Sequence, residues 1–154
     1  MRLAFEKLLG PGINHRPDEP PAKRSRSKLR IKVVFTSVEH TLLALKRAAA
    51  VAHDLNASIT LIVPQIVPYP LPLSSPPVLL EFNERRFRVI ANESTVDTTV
   101  RIYLCRDRTD MLNSVLEPHS VVVLGIREGW WPNSDKRLAR VLRRAGHEVI
   151  SPAA

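Results

Sequence analysis

The chain has 154 residues, of which 44% are hydrophobic and 25% are charged, enough apolar material for the core of one ordinary domain and too much for a wholly disordered chain. No stretch approaches the roughly 18 uninterrupted apolar residues of a membrane span, and the single cysteine excludes an internal disulfide framework or a zinc site built from several cysteines. The formal net charge of +8 raises the question of an anionic partner.

Most of the positive charge lies at the start of the chain, where residues 1–32 hold nine basic and three acidic side chains. Glycines and prolines break regular structure there. We therefore predict that residues 1–28 form a mobile basic tail, which opens on a short amphipathic turn and is trimmed by proteases near Lys23–Arg30. Residues 29–154 are predicted to form the domain. The opening residues are too charged for the core of a secretory signal, which favours a cytoplasmic protein.

The basic run from Lys23 to Lys32 has two interpretations. A solvated linker is the more common outcome for such a run. Clustered cations also bind nucleic acid or an anionic membrane face, because they release counterions from phosphate groups. No aromatic residue interleaves with the run, so it offers bases no stacking platform.

After the basic run, apolar stretches of strand length alternate with segments of helical periodicity. The first strand, Ile31–Ser37, is apolar and rich in β-branched residues, which is typical of a strand buried on both faces. A proline-rich segment at 64–77 follows the second strand. The other predicted elements, in chain order, are the helix Glu39–Asn56, the strand Ala57–Pro64, the helix Val78–Asn92, the strand Thr99–Cys105, the helix Thr109–Leu116 with Asp107 or Thr109 as its N-cap, the strand Ser120–Gly125, the helix Ser134–Ala145 with Ser134 as its N-cap, and the strand His147–Ser151.

This alternation predicts an open, doubly wound parallel sheet of five strands, covered by helices on both faces, with the first strand at the centre. In such sheets ligands bind at the carboxyl ends of the strands, where the strand order reverses. The candidate site is therefore the rim formed by the segments after Ser37, Pro64, Cys105 and Gly125.

Two blocks of the sequence resemble the universal stress protein family. Residues 31–65 resemble its first strand, first helix and second strand, and Thr41–Ala48 (TLLALKRA) follows the cadence of that first helix. The segments SVVVLG at Ser120–Gly125 and RLARVLRRAGHEVI at Arg137–Ile150 resemble its fourth strand, last helix and last strand. The resemblance implies a flavodoxin-like α/β sheet of strand order 3-2-1-4-5, frequent homodimers, and ATP binding in some members.

Three features mark the ATP-binding members of that family, and each is altered here. Thr36 stands where they have an aspartate at the end of the first strand. Gly125 matches the first glycine of their Gly-x-x-Gly turn, but Glu128 holds the second position and Gly129 comes one residue late. Asp135-Lys136 replaces their Gly-Ser or Gly-Thr at the start of the last helix. We therefore expect no cofactor, and ATP binding that is weak or absent.

A degenerate rim of this kind can still hold an anion, because the first N–H groups of the last helix are free to donate. Its candidate residues come from the ends of the first and fourth strands and from the start of the last helix: Thr36, Ser37, Gly125, Arg127, Gly129, Ser134 and Lys136.

Trp130 and Trp131 form the most unusual local feature of the sequence. The two indoles either anchor a partner, because each buries a large area at little entropic cost, or one of them caps the core. Next to them, Arg137, Arg140 and Arg144 share one face of the last predicted helix. That face is either solvated or meets an acidic partner or phosphate.

Cys105 lies beside Arg106 and Arg108, and neighbouring cations favour the reactive thiolate. A structural residue at the end of a strand is the more common alternative. The five histidines lack the spacing of metal ligands, and no nucleophile–base pair or phosphate-binding loop motif is present. We therefore expect neither catalytic residues nor a metal site.

Together these patterns favour a non-catalytic binding or regulatory module, which the resemblance implies is stress-related and dimeric, with a protein partner at the tryptophan loop. One alternative is a protein that binds a nucleotide or phosphometabolite through altered loops and hydrolyses it slowly. The other is an adaptor whose basic tail docks on nucleic acid or on a membrane protein.

Overall fold

The structure is a computed structural model that describes residues 5–9, as backbone, and residues 29–152. Parallel strands alternate with helices along this part of the chain. In order, the elements are β1 (Phe5–Leu9), β2 (Arg30–Val34), α1 (Val38–Asp54), β3 (Ser58–Ile66), α2 (Leu80–Asn92), β4 (Thr98–Cys105), α3 (Arg108–Val115), β5 (Val121–Leu124), α4 (Ser134–Arg144) and β6 (Glu148–Ile150).

In the described residues the sheet is parallel throughout and has the strand order β1-β4-β3-β2-β5-β6. The five predicted strands are β2 to β6, and their order confirms the predicted 3-2-1-4-5 arrangement. β2 lies between β3 and β5, with Val33 opposite both Leu61 and Val123. The prediction of a flavodoxin-like α/β fold with a central first strand is therefore confirmed.

The strand β1 corrects the predicted boundary of the tail. Residues 5–9 were assigned to an amphipathic turn in a detached segment, yet they pair with β4 from Phe5↔Val100 to Leu9↔Leu104. The physical reason is that the edge of β4 offers unpaired backbone groups, which a short neighbouring segment satisfies whatever its own periodicity. The rest of the predicted tail, including Lys23–Lys28, lies outside the described residues and stays a prediction.

Two hydrophobic cores lie on opposite faces of the sheet. On one face α1 packs closely through small side chains, Ala44, Ala48 and Ala52, and α2 adds Phe87 and Ile90. On the other face α3 and α4 bury Met111, Leu112, Leu138, Ala139 and Leu142 against β4, β2 and β5. The helices therefore lie on both faces, as the alternation of elements predicts.

Side chains that accept hydrogen bonds from backbone N–H groups begin three of the helices. Ser37 caps α1 and Asp107 caps α3, where it accepts from the Asp110 N–H at 2.8 Å. Asn133, not the predicted Ser134, is the N-cap of α4. Asparagine and serine are equally good caps, so sequence alone does not choose between neighbours of these types.

β3 runs through Pro64 to Ile66, two residues beyond its predicted end. At this point β2 has already ended, and β3 pairs only with β4, where Pro64 lies opposite Tyr103. Proline lacks a backbone donor and is tolerated where one side of a strand has no partner. Across the described ranges, no helix is long and apolar enough to cross a membrane.

Candidate functional site at the carboxyl ends of the strands

The candidate site lies where β2 and β5 end side by side. The chain leaves β2 through α1 toward β3, and leaves β5 through α4 toward β6, on the opposite face of the sheet. Such a reversal of strand order opens a crevice at the carboxyl ends of a parallel sheet. Here the Thr36 hydroxyl donates a hydrogen bond to the carbonyl oxygen of Gly125 at 2.9 Å, and this bond spans the crevice.

The first turn of α1 lies directly against the end of β5. A Cβ atom at Gly125 would collide with the carbonyl group of His40, so only glycine permits this approach. The Thr36 N–H donates to Thr41 Oγ1 at 3.2 Å, and Ser37 Oγ accepts from the His40 N–H and lies 2.7 Å from His40 Nδ1. The polar groups of Thr36 and Ser37 are therefore engaged in holding α1 in place.

The loop at 126–133 folds back on the first turn of α4. Asn133 Nδ2 donates to the carbonyl oxygen of Arg127 at 3.2 Å, and its Oδ1 accepts from the Lys136 N–H at 2.8 Å. The Lys136 ammonium group donates to the carbonyl oxygen of Gly129. These bonds fix the loop to the helix at two points.

The predicted rim residues divide into two groups. Thr36, Ser37 and Gly125 surround the start of α1, whereas Arg127, Gly129 and Lys136 line a separate cavity of about 400 Å³. The other residues that line this cavity are Ile126, Glu128, Ser151 and Pro152. Ser134 is exposed at the start of α4 and lines neither. The lining of this cavity thus includes three of the seven predicted residues, and a nucleotide site built from all seven stays a prediction.

Both indoles of the loop project into solvent. The Trp130 side chain is 95% exposed and the Trp131 side chain is 80% exposed. The interpretation in which one ring caps the core is therefore wrong, because neither ring is buried. The other interpretation, that the indoles anchor a partner, stays a prediction.

One face of α4, the helix that follows the loop, carries exposed arginines. Arg137, Arg140 and Arg144 are exposed on this face, while Leu138 and Leu142 turn toward the core. Within residues 29–152, the side chains of these three arginines form no hydrogen bond or ion pair. We call the set Trp130, Trp131, Arg137, Arg140 and Arg144 the tryptophan–arginine surface.

Two solved structures share this arrangement of strands and helices. A crystal structure of a protein from the universal stress protein family from Burkholderia pseudomallei matches with a TM-score of 0.55 at 18% identity, over 81% of this chain and 96% of that one. A universal stress protein from Archaeoglobus fulgidus matches with a TM-score of 0.57 at 17% identity, over 80% of this chain and 92% of that one. The fold is that of the universal stress proteins. No protein-family model and no curated protein matches the chain.

Asp135 lies in the first turn of α4, where the sequence resemblance predicts Gly-Ser or Gly-Thr. Asp135 Oδ1 accepts a hydrogen bond from Arg108 Nη1 at 2.9 Å, and both side chains are about four-fifths buried, with 21% and 23% exposed. This ion pair joins the first turns of α3 and α4. Sequence reasoning missed Arg108 as its partner, because the two residues lie 27 positions apart and no local pattern links them.

Cys105 is a buried structural residue at the end of β4. Burial, together with the nearby carboxylate of Asp107, raises the pKa of its thiol to about 11. The expectation that neighbouring cations lower this pKa is wrong, because both cations point elsewhere. Arg106 donates to the carbonyl oxygen of Val67 at 2.7 Å and stacks over the Tyr69 ring at 4.1 Å, and Arg108 pairs with Asp135.

In the described part of the chain, no three His, Cys, Asp or Glu side chains cluster in a way that could hold a metal ion.

The hydrogen bond between Ser37 and His40 was not predicted from the sequence. A serine three residues before a histidine at a helix start is the available signal. Its geometry here serves helix capping, since Ser37 Oγ also accepts from the His40 N–H.

Proposed function

We propose that this protein is a non-catalytic binding or regulatory module of the universal stress protein type, and that its tryptophan–arginine surface holds a macromolecular partner. The observation that carries the proposal is the exposure of both indoles on a loop that hydrogen bonds fix to α4. Large aromatic side chains and arginines supply much of the binding energy at protein interfaces. A loop fixed before binding loses less conformational entropy when a partner arrives.

The proposal includes weak or absent ATP binding. Glu128 is exposed beside Arg127, at the turn where a phosphate-binding glycine would stand, and its carboxylate repels a triphosphate. The Thr36 hydroxyl already donates to Gly125, and it supplies no carboxylate for the adenine side. The first turn of α4 carries Asp135 in place of Gly-Ser.

A second candidate function rests on the 400 Å³ cavity beside α4. Arg127 and Lys136 contribute two cations to its lining, against the single acidic residue Glu128. This balance favours a small anion, such as a phosphorylated metabolite, over a triphosphate. The Lys136 ammonium group already donates one of its three hydrogens to the Gly129 carbonyl, so it is less free to move toward an anion, which weakens this candidate relative to the first.

Calorimetric titration separates the two candidates. Magnesium-ATP, AMP and inorganic phosphate are titrated into the full chain, and phosphate release from ATP is followed in parallel. We expect no saturable heat and no release. Stoichiometric, low-micromolar binding that Lys136→Gln abolishes and Arg47→Gln leaves unchanged would overturn the proposal and favour the cavity; Arg47 is an exposed cation on α1, and serves as the matched control.

A homodimer, a cytoplasmic location and a part in stress responses belong to the same proposal. Their support is the likeness in fold to universal stress proteins. Sedimentation velocity over a range of protein concentrations tests the dimer directly. A single monomeric species at every concentration would remove that part of the proposal.

A further inference from the structure

We propose that the partner of the tryptophan–arginine surface is single-stranded nucleic acid. This inference rests on the proposed function, in which that surface holds a macromolecule. It adds the chemical class of the partner, with bases stacked on the indoles and phosphates bound by the arginines.

The indoles provide a stacking platform. Trp130 and Trp131 are adjacent in sequence and almost fully exposed, so their ring faces are open to a planar ligand. Unpaired bases offer such planes at every nucleotide, and proteins that bind single strands use aromatic rings in this way. The hydrogen bonds from Asn133 and Lys136 hold the loop backbone, so the position of the two indoles relative to α4 is restricted.

The arginines lie along α4, which follows the loop directly in the chain. Residues 137, 140 and 144 lie at i, i+3 and i+7, so they form a row with steps of about 4.5 and 6 Å along the helix axis. A flexible arginine covers the remaining distance to successive phosphates, and its planar guanidinium group binds phosphate oxygens with two hydrogen bonds. No acidic side chain interrupts this row, and Asp135, the acidic residue of α4, is held by Arg108.

Charge and shape favour a single strand over other polyanions. A duplex hides its base faces in the stack, so the exposed indoles would have no contact to make. An acidic protein segment would satisfy the arginines but supplies no regular series of planar groups for two neighbouring rings. A single strand presents both chemistries at every nucleotide, so some of its bases can stack on the indoles while neighbouring phosphates bind the arginines.

Fluorescence anisotropy of labelled oligonucleotides tests the inference. Oligo(dT) and oligo(U) of about 12 nucleotides, long enough to cover a rim and one helix face, are titrated with the full chain at low and at physiological salt. We expect Trp130→Ala and Trp131→Ala each to weaken binding at least about fivefold. Arg140→Gln and Arg144→Gln are expected to lower the slope of log affinity against log salt by about 0.7 each.

Arg143→Gln is the matched control, because Arg143 lies on the same helix but donates to the carbonyl oxygen of Val149 and should change affinity less than about twofold. Circular dichroism confirms that each variant is folded. Binding that survives the tryptophan variants but is lost when Lys23, Arg24 and Arg26 are neutralised overturns the inference and assigns the nucleic acid to the basic tail.

Parallel titrations with polyglutamate and with phosphatidylserine vesicles separate failure of this inference from failure of the proposed function. Tryptophan-dependent binding of polyglutamate or vesicles, with no binding of oligonucleotide, overturns the nucleic-acid partner and keeps the macromolecular docking surface. Low-micromolar ATP binding overturns the proposed function itself, whatever the oligonucleotides do. Equal affinity for duplex and single strands also counts against the inference, since it removes the role of stacking.

Discussion

At Gly125 the backbone of β5 comes so close to the first turn of α1 that no side chain fits between them. Gly125 therefore has a packing role in this chain. Gly129, which directly follows Glu128 in the loop, has open space where a Cβ atom would lie. Two glycines that look alike in the sequence thus have different structural reasons to be there.

Alanine substitutions at Gly125 and Gly129 should differ in their effect on stability. Gly125→Ala should lower the free energy of unfolding by about 1 to 3 kcal/mol, the usual range for overpacking a close contact. Gly129→Ala, the matched control, should change it by less than about 0.5 kcal/mol. Urea denaturation followed by circular dichroism measures both. Equal stability of the two variants would show that α1 can move away from β5 without cost.

Individual side chains were the part of the site that sequence reasoning predicted least well. Trp130 and Trp131 were recognisable by type, but whether they faced the core or solvent depended on how the loop folds back on α4. The effect of Arg106 and Arg108 on Cys105 was not predictable, because sequence shows which cations are adjacent along the chain, and not where their side chains point. Their partners lie 39 and 27 positions away, whereas the loop is held by bonds across six and seven positions.

Among the elements, α4 connects the candidate site to the core. Its N-cap Asn133 accepts from the Lys136 N–H and donates to the Arg127 carbonyl, so one side chain both begins the helix and closes the loop that carries the indoles. The cap oxygen and the loop-closing nitrogen belong to the same amide group. Substitutions can therefore remove one function or both.

Asn133→Ala should lower the free energy of unfolding by about 1 kcal/mol, because it removes the cap. Asn133→Asp keeps the cap oxygen and loses the donor to Arg127, so we expect stability near that of the parent chain. In both variants the loop at 126–133 should exchange its amide hydrogens faster than in the parent. Hydrogen exchange measured by mass spectrometry checks this, and unchanged loop exchange in Asn133→Asp would contradict the loop-closing role.

Element type was largely predictable and element ends were less so. The helices and the strands β2 to β6 follow apolar periodicity, which burial in the two cores confirms. Boundaries depended on tertiary contacts: β3 continues through Pro64 because only β4 pairs with it there, and α4 begins after Asn133. Propensity alone does not contain that information.

Across the sheet, the central place of β2 followed from its near-continuous apolar residues, whereas the full strand order was implied by the resemblance to universal stress proteins. The strand β1 was not predicted, because Phe5, Leu8 and Leu9 have helical spacing and only pairing with β4 makes the segment a strand. An edge strand of this kind also protects the sheet, because an open β4 edge would be free to pair with other chains.

Removing residues 1–9 should therefore expose the edge of β4. We expect faster amide exchange in Thr98–Cys105, a lower unfolding midpoint and a greater tendency to aggregate than in the intact protein. Removing residues 1–4 alone keeps β1 and serves as the matched control. Exchange in Arg30–Val34, at the centre of the sheet, should not change. Identical β4 exchange in the two truncated chains would show that β1 contributes nothing to the edge.

The placement of the indoles also determines what optical spectroscopy reports. The chain contains two tryptophans, and both already face water in the folded protein. Their emission should therefore resemble that of the unfolded chain, so a denaturation curve recorded at indole wavelengths would be nearly flat while the far-ultraviolet signal collapses. For the same reason, tryptophan emission should not report on packing in the two cores. It should change only when a ligand or partner covers the loop that carries the indoles, as the emission of a dye attached to that loop would.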